Sequence, residues 1–67
     1  MRMDATRFTV QERPGVYRGR PTAIIVADYG NGRLGTEPEV IIIGRPGERR
    51  ADLIERARAY AKGMGTA

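Results

Sequence analysis

The sequence contains neither cysteine nor histidine. Without cysteine no disulfide can form, and without both residues the usual ligands of zinc and the transition metals are missing. The commonest general base and the thiol nucleophile are missing for the same reason. Asp28 and Tyr29 place a carboxylate beside a phenol, but strand ends often carry such residues without any function. We therefore expect a protein that is not an enzyme, with no catalytic residue, no metal site and no cofactor.

Long apolar runs are also absent. No stretch approaches the roughly 20 apolar residues of a membrane span, and the N-terminus MRMDATRFTV lacks the apolar segment of a signal peptide. We expect a soluble, cytoplasmic protein of one small domain, residues 1–67, with a disordered terminus over residues 1–6. A chain of this size buries only about 60 % of its unfolded surface. Because disulfides and metals are excluded, oligomerisation or an unusually good core must supply stability.

Lysine is nearly absent, and arginine dominates the charge. Lys62 is the only lysine among 12 basic residues, and the formal net charge is +4. Arginine binds phosphates and carboxylates in a bidentate way that lysine cannot match. A GC-rich coding sequence would raise the arginine content equally well without any function. The basic balance makes an acidic partner plausible, and nucleic acid is the commonest one.

Three segments have the pattern of β-strands. The segment RFTVQE, residues 7–12, alternates Phe8 and Val10 with polar residues, which is typical of a half-buried strand. The segments TAIIVADY, residues 22–29, and EVIIIG, residues 39–44, are aliphatic runs with strong strand character. Between the first two strands, RPGV has the chemistry of a turn and YRGRP follows as a basic connector.

The segment GNGRLGTEP separates the two aliphatic runs. Asn31 and Gly32 have the signature of a type I′ hairpin turn. A tight turn there would bring Ile25 near Pro38 and leave the two runs out of register. We therefore predict a longer, mobile loop over residues 30–38, which allows the runs to pair in an antiparallel sheet.

After the third strand the hydrophobic period changes to 3.6, which predicts a helix from Glu48 to Lys62 that Gly63 ends. Asp52–Arg56 and Glu55–Arg58 are spaced as stabilising ion pairs. The predicted fold is α+β: a small three-stranded antiparallel sheet packed on one C-terminal helix, in the order β-β-β-α. The apolar stripe of the helix consists of Leu53, Ile54, Ala57, Tyr60, Ala61 and Met64.

Both faces of the two aliphatic strands are apolar, whereas an antiparallel sheet with one solvated face should alternate. One helix covers one face, so the open face is predicted to be an interface. A partner or self-association is favoured over wrapping by the N-terminal segment, and a homodimer is the first expectation. The candidate interface residues are Ile24, Ile25, Val26, Leu34, Ile41, Ile42 and Ile43.

The stretch IIIGRPGERRADLIERA, residues 41–57, joins a strand through glycines to a helix, as phosphate-binding segments do. It lacks the spacing and the Lys-Ser/Thr of a P-loop, and it is not GxGxxG. Glu48 already places a negative charge near the helix start. A turn with glycines for backbone reasons is therefore favoured over a nucleotide pocket, and electrostatic contact with a nucleic-acid backbone stays open. The candidate contacts are Arg13, Arg18, Arg20, Arg45, Arg49 and Arg50.

The motif YRG at Tyr17–Gly19, a hairpin, and ARAY at Ala57–Tyr60 in a C-terminal helix form a familiar layout. It resembles the three-stranded sheet plus helix of plant ethylene-response DNA-binding domains and of the arm-binding domains of tyrosine recombinases. The resemblance implies a sheet that lies in the major groove and contacts DNA through arginines and aromatics. Only Arg18 and Arg20 match those contacts in type and rough place, because the central strands here are aliphatic.

Two classes of function follow. The first is a small non-enzymatic accessory protein that binds nucleic acid through its arginines, of the kind that phages and mobile elements encode. The alternative is a homo-oligomeric protein-interaction module or inhibitor, which docks on a partner protein through its apolar sheet face.

Overall fold

The computed structural model describes residues 7–11 and 15–64. It confirms the predicted class: an antiparallel sheet packs on one C-terminal helix in an α+β fold. The candidate contact Arg13 and the predicted disordered terminus lie outside the described residues. The elements are β1 (Arg7–Gln11), β2 (Val16–Tyr17), β3 (Arg20–Gly30), β4 (Arg33–Leu34), β5 (Val40–Ile43) and α1 (Arg50–Met64).

The central strand β3 pairs antiparallel with each of the other four strands. Its aliphatic middle is flanked on both sides, since Ile25 lies opposite Val10 of β1 and Val40 of β5. Every described strand therefore pairs with β3, the strand that contains the TAIIVADY run. The three predicted strands are present, and the two additional strands, β2 and β4, contain two residues each.

Each additional strand is joined to one end of β3 by a tight turn, β2 to its beginning and β4 to its end. Arg18 and Gly19, and likewise Asn31 and Gly32, have positive φ angles of 50°, 78°, 53° and 77°, which is the pattern of a type I′ turn. The segment predicted as a basic connector is thus a hairpin.

The prediction of a long loop without a tight turn is wrong at Asn31–Gly32, because Gly30 pairs directly with Arg33. The aliphatic runs pair nevertheless, with Ile24 opposite Ile41. The β3–β4 pair and the β3–β5 pair therefore have different registers. The difference is accommodated by a register shift between Asp28 and Gly30 and by the unpaired residues that follow β4. The predicted mobility of this segment stays a prediction.

The helix covers one face of the sheet and builds the core there. Ala23, Leu53 and Ala57 form its centre, and Val10 and Ile42 pack against them. Because side chains alternate along a strand and Val10 lies opposite Ile25, Ile25 shares this face. Ile25 and Leu53 are both 0 % exposed, so burial here contributes about 1.5–3 kcal/mol for each side chain.

The other face of the sheet, called the outer face, carries Ile24, Val26, Ile41 and Ile43, as the alternation of the strands requires. Ile41 and Ile43 are exposed, Ile24 is half-buried and Val26 is buried. The register thus places Ile25 and Ile42 on the helix-facing side and Ile24 and Ile41 on the outer face.

The helix departs from its predicted stripe and bounds in three places. It begins at Arg50 and continues through Gly63 to Met64, so Gly63 does not end it. Leu53, Ala57 and Ala61 are buried, but Tyr60 is 54 % exposed, because it lies at the border of the stripe, away from the core residues. In the described part of the chain, no helix has the length and apolarity needed to cross a membrane.

Candidate nucleic-acid interface

The turn between β5 and α1 is built by backbone geometry. The N–H of Glu48 donates to the carbonyl of Arg45 at 2.9 Å, and Gly47 has a φ of 79°. With Pro46 before it, this is a type II turn, which requires glycine at its third position. A Cβ on Gly44 would lie 2.9 Å from the carbonyl oxygen of Pro21. Both glycines are therefore explained without a phosphate.

The carboxylate of Glu48 occupies the position where an anion would bind this turn. It accepts the N–H of Arg45 at 2.8 Å, and its two oxygens accept Nη2 and Nε of Arg56 at 2.8 and 3.2 Å. Arg56 thus pairs with Glu48 and does not form the predicted pair with Asp52. The protein supplies its own anion to the turn, which argues against a nucleotide pocket there.

These contacts lower the pKa of Glu48, first through the hydrogen bond from Arg56 and then through the backbone N–H of Arg45. The folded state therefore favours the ionised form more than the unfolded state does. Its contribution to stability is complete above the unfolded pKa, near 4.5, and is lost as the pH falls through the lower folded pKa.

We expect the Glu48→Gln variant to lose stability at pH 7 and to depend less on pH below 4.5 than the wild type. Chemical denaturation between pH 2.5 and 7 measures this. Glu37→Gln is the matched control, because Glu37 is exposed and no described contact involves its side chain. If Glu48→Gln and Glu37→Gln gave parallel pH profiles, the ion pair would have no role in stability.

Arg50 has a structural position among the candidate contacts. Its Nη2 donates to the carbonyl of Gly15 at 2.6 Å and its Nη1 to the carbonyl of Thr22 at 3.3 Å. The half-buried guanidinium therefore fastens the start of the helix to the beginning of β3. These bonds occupy the fork of Arg50, so it is a weaker candidate for a phosphate contact than its exposed neighbours.

Four exposed arginines converge at the end of the sheet where Arg50 is anchored. The N–H of Gly44 donates to the carbonyl of Pro21 at 2.7 Å, so the next residues in register are Arg45 and Arg20. Arg18 lies in the adjoining β2–β3 turn, and Arg49 precedes the anchored start of the helix. We call this group, with Tyr17, the basic end: Tyr17, Arg18, Arg20, Arg45 and Arg49.

Within the described ranges, no carboxylate forms an ion pair with an arginine of the basic end. Tyr17 lies opposite Arg20 in the β2–β3 pair, and the guanidinium carbon of Arg18 lies 5.5 Å from the centroid of the Tyr17 ring. Tyr17 was not among the predicted contacts. Gly19 directly after Arg18 is the sequence signal that could have indicated a hairpin with Tyr17 beside the arginines.

The predicted interface residues separate into two groups. Ile41, Ile43 and Leu34 are exposed and accessible to a partner. Ile25 and Ile42 lie on the helix-facing side, and on the outer face Ile24 is half-buried and Val26 buried.

Asp28 and Tyr29 occupy successive positions of β3, so their side chains point to opposite faces. The Oδ1 of Asp28 accepts the N–H of Gly30 at 2.8 Å. This bond stabilises the entry to the Asn31–Gly32 turn, which gives the carboxylate a structural role.

Comparison with known proteins adds no relative: no family model matches the chain, and no curated protein or solved structure matches it.

Proposed function

We propose that this protein binds nucleic acid through its basic end. The observation that carries the proposal is the convergence of four exposed arginines from two stretches of chain, residues 18–20 and 45–49, with no ion pair described for any of their guanidinium groups. Clustered guanidinium groups on one surface attract the phosphate backbone, which dominates the affinity of such complexes. The fork of arginine also matches the geometry of a phosphate.

The conformation of Arg18 supports this assignment. Its φ of 50° places a residue other than glycine or asparagine in the left-handed region, which costs about 1–2 kcal/mol. Glycine or asparagine would fit this position of the turn better. A strained residue with a long charged side chain, held at the tip of a hairpin, is the kind of outlier that points to a functional position.

The proposed mode of binding uses the end of the sheet and not its face. The central strands of the outer face are aliphatic at Ile24, Ile41 and Ile43, and these side chains make no hydrogen bonds to the edges of bases. Tyr17 is exposed beside Arg18, and an exposed aromatic ring next to arginine can stack on an unpaired base. Binding is therefore expected to depend on the phosphate backbone, with little sequence preference.

We expect the double variant Arg18→Ala/Arg20→Ala to bind both duplex and single-stranded DNA at least about tenfold more weakly at low salt. Two phosphate contacts are lost, so the slope of log K against log salt should become shallower by about 1.8 on duplex and 1.4 on single strands. Fluorescence anisotropy with labelled oligonucleotides across a salt series measures both quantities.

The matched control is Arg7→Ala/Arg33→Ala, which removes the same charge at the opposite end of the sheet. Both residues are exposed, and they lie opposite Asp28 and Gly30 of β3. This control should keep nearly the full affinity and salt slope. If the two double variants lost affinity equally, net charge and not the basic end would explain the effect. If the wild type bound no nucleic acid at low salt, the proposed function would be wrong.

The alternative is docking on a partner protein through the outer face. It is supported by the exposure of Ile41, Ile43 and Leu34. Nucleic acid is favoured because the basic end combines charge, geometry and a strained conformation, whereas exposed aliphatic side chains alone do not define a partner.

A further inference from the structure

One edge of the sheet offers unpaired backbone groups. The strand β5 pairs with β3 and with no other described strand. The N–H of Gly44 points toward β3, where it meets the carbonyl of Pro21. Because backbone groups alternate in an antiparallel ladder, Ile42 also directs its N–H toward β3. The N–H and C=O groups of Ile41 and Ile43 therefore point outward along the open edge.

Nothing in β5 protects this edge. Natural edge strands avoid further pairing through charged side chains, proline or bulges. All four residues of β5, Val40–Ile43, are uncharged aliphatics, and Ile41 and Ile43 are 58 % and 42 % exposed. The charges come just outside the strand, with Glu39 before it and Arg45 after Gly44. Both of these side chains are exposed.

We infer that two copies of this chain pair along β5, in antiparallel orientation around a two-fold axis at Ile42. The outward groups belong to Ile41 and Ile43, so hydrogen bonds can form only if Ile41 of one copy lies opposite Ile43 of the other. Beyond the two ends of β5, this register brings Glu39 near Arg45 of the second copy and Arg45 near its Glu39, although the N–H of Glu39 turns inward to the carbonyl of Ile25. The strand Val40–Ile43 is thus complementary to itself in apolar contact and in hydrogen bonding, and the residues that flank it, Glu39 and Arg45, carry opposite charges.

The helix leaves room for this arrangement. The described contacts of α1 with the sheet are chiefly with β1 and β3, on the side away from the open edge. In the proposed register both copies turn the same face to the same side, because residues directly opposite each other in a ladder share a face. The two helices would lie apart on one continuous sheet. This is an isologous interface, the usual kind in two-fold dimers.

The inference is independent of the proposed function. Arg45 belongs to the basic end and would also lie near Glu39 of the second copy, whereas Arg18 and Arg20 belong to the β2–β3 hairpin and pair with no residue of β5. The nucleic-acid test above changes only those two arginines, so failure of one proposal is distinguishable from failure of the other.

The test exchanges the charges of Glu39 and Arg45, which flank β5. Sedimentation equilibrium measures the mass of each variant in solution. The wild type should show twice the chain mass of 7.4 kDa at high concentration. Glu39→Arg and Arg45→Glu each turn two attractive pairs into repulsive ones, so each should raise the dissociation constant by about tenfold or more. The combined exchange restores both pairs and should return it to within about threefold of the wild type. The control Glu37→Arg should leave the dimer unchanged.

A second variant tests the backbone bonds. Ile41→Pro removes an N–H that points to the open edge while it leaves the bonds between β5 and β3, and proline is tolerated at such edge positions. It should give a folded monomer by circular dichroism. A wild-type monomer near 1 mM would overturn the inference. So would a dimer that withstands Ile41→Pro, or one that the combined charge exchange does not restore.

Discussion

The variant Ile25→Lys should not fold. Ile25 is 0 % exposed in the middle of β3, between Val10 and Val40 on the helix-facing side. A lysine there loses about 1.5–3 kcal/mol of apolar burial and adds the cost of an unpaired buried charge, which is several kcal/mol. At about 0.05–0.15 kcal/mol per residue, a chain of 67 residues has a total stability of roughly 3–10 kcal/mol. We expect the circular dichroism spectrum of an unfolded chain and no cooperative thermal transition.

The matched control is Ile41→Lys, which makes the same substitution on the outer face. Ile41 lies opposite Ile24 and is 58 % exposed, so its lysine keeps its charge in water. We expect the wild-type spectrum and a change in unfolding free energy within about 0.5 kcal/mol for the monomer, as for most surface substitutions. A folded Ile25→Lys variant, or an unfolded Ile41→Lys variant, would mean that the assignment of the two faces is wrong.

Most of the fold could be predicted from the pattern of apolar residues, because their periodicity indicates which side chains are buried. The alternation in RFTVQE, the runs around Ile25 and Ile42, and the stripe through Leu53 and Ala57 each predicted an element that is present. What periodicity does not report is the local backbone. Arg18 is an unusual residue at a left-handed position, so the β2–β3 hairpin had no conventional turn signal at that residue.

The second tight turn was misread for a different reason. The Asn31–Gly32 signature was recognised, but it conflicted with the register of Ile25 against the third strand. A single uninterrupted ladder cannot satisfy both requirements. The chain satisfies them by shifting register between Asp28 and Gly30 and leaving residues unpaired after β4. Pattern analysis assumes a constant register, so it could not predict a solution that changes the register within one strand pair.

The candidate site was predicted by residue type but not by arrangement. The sequence indicated six arginines as equivalent contacts, because charge alone does not distinguish a guanidinium in water from one bound to the backbone. The structure separates the five that it describes, through tertiary contacts between distant residues. Arg20 and Arg45 become neighbours through the β3–β5 register, whereas Arg50 is bound by carbonyls 28 and 35 residues away.

Because Arg50 is bound by backbone carbonyls, unlike the exposed arginines, the variant Arg50→Ala should destabilise the domain by about 2–3 kcal/mol. Hydrogen bonds from a charged donor contribute about 1.5–3 kcal/mol each, and the half-buried position of Arg50 reduces the sum. The substitution leaves the carbonyl of Thr22 without this donor, while Gly15 keeps the N–H of Thr22 at 3.0 Å. In a domain of this size, such a loss lowers the melting temperature by about 10–20 °C.

The neighbouring residue provides the control, because Arg49→Ala removes the same side chain from an exposed position. Arg49→Ala should keep the melting temperature within about 3 °C of the wild type and lose affinity for nucleic acid. Arg50→Lys should remain destabilised, because an ammonium group does not reproduce the planar fork that reaches two carbonyls. Thermal unfolding of the three variants at one pH and salt concentration measures these differences. If Arg50→Ala were as stable as Arg49→Ala, the bonds to Gly15 and Thr22 would not hold the helix to the sheet. Arg50 would then count as a fifth arginine of the basic end that is available to phosphate.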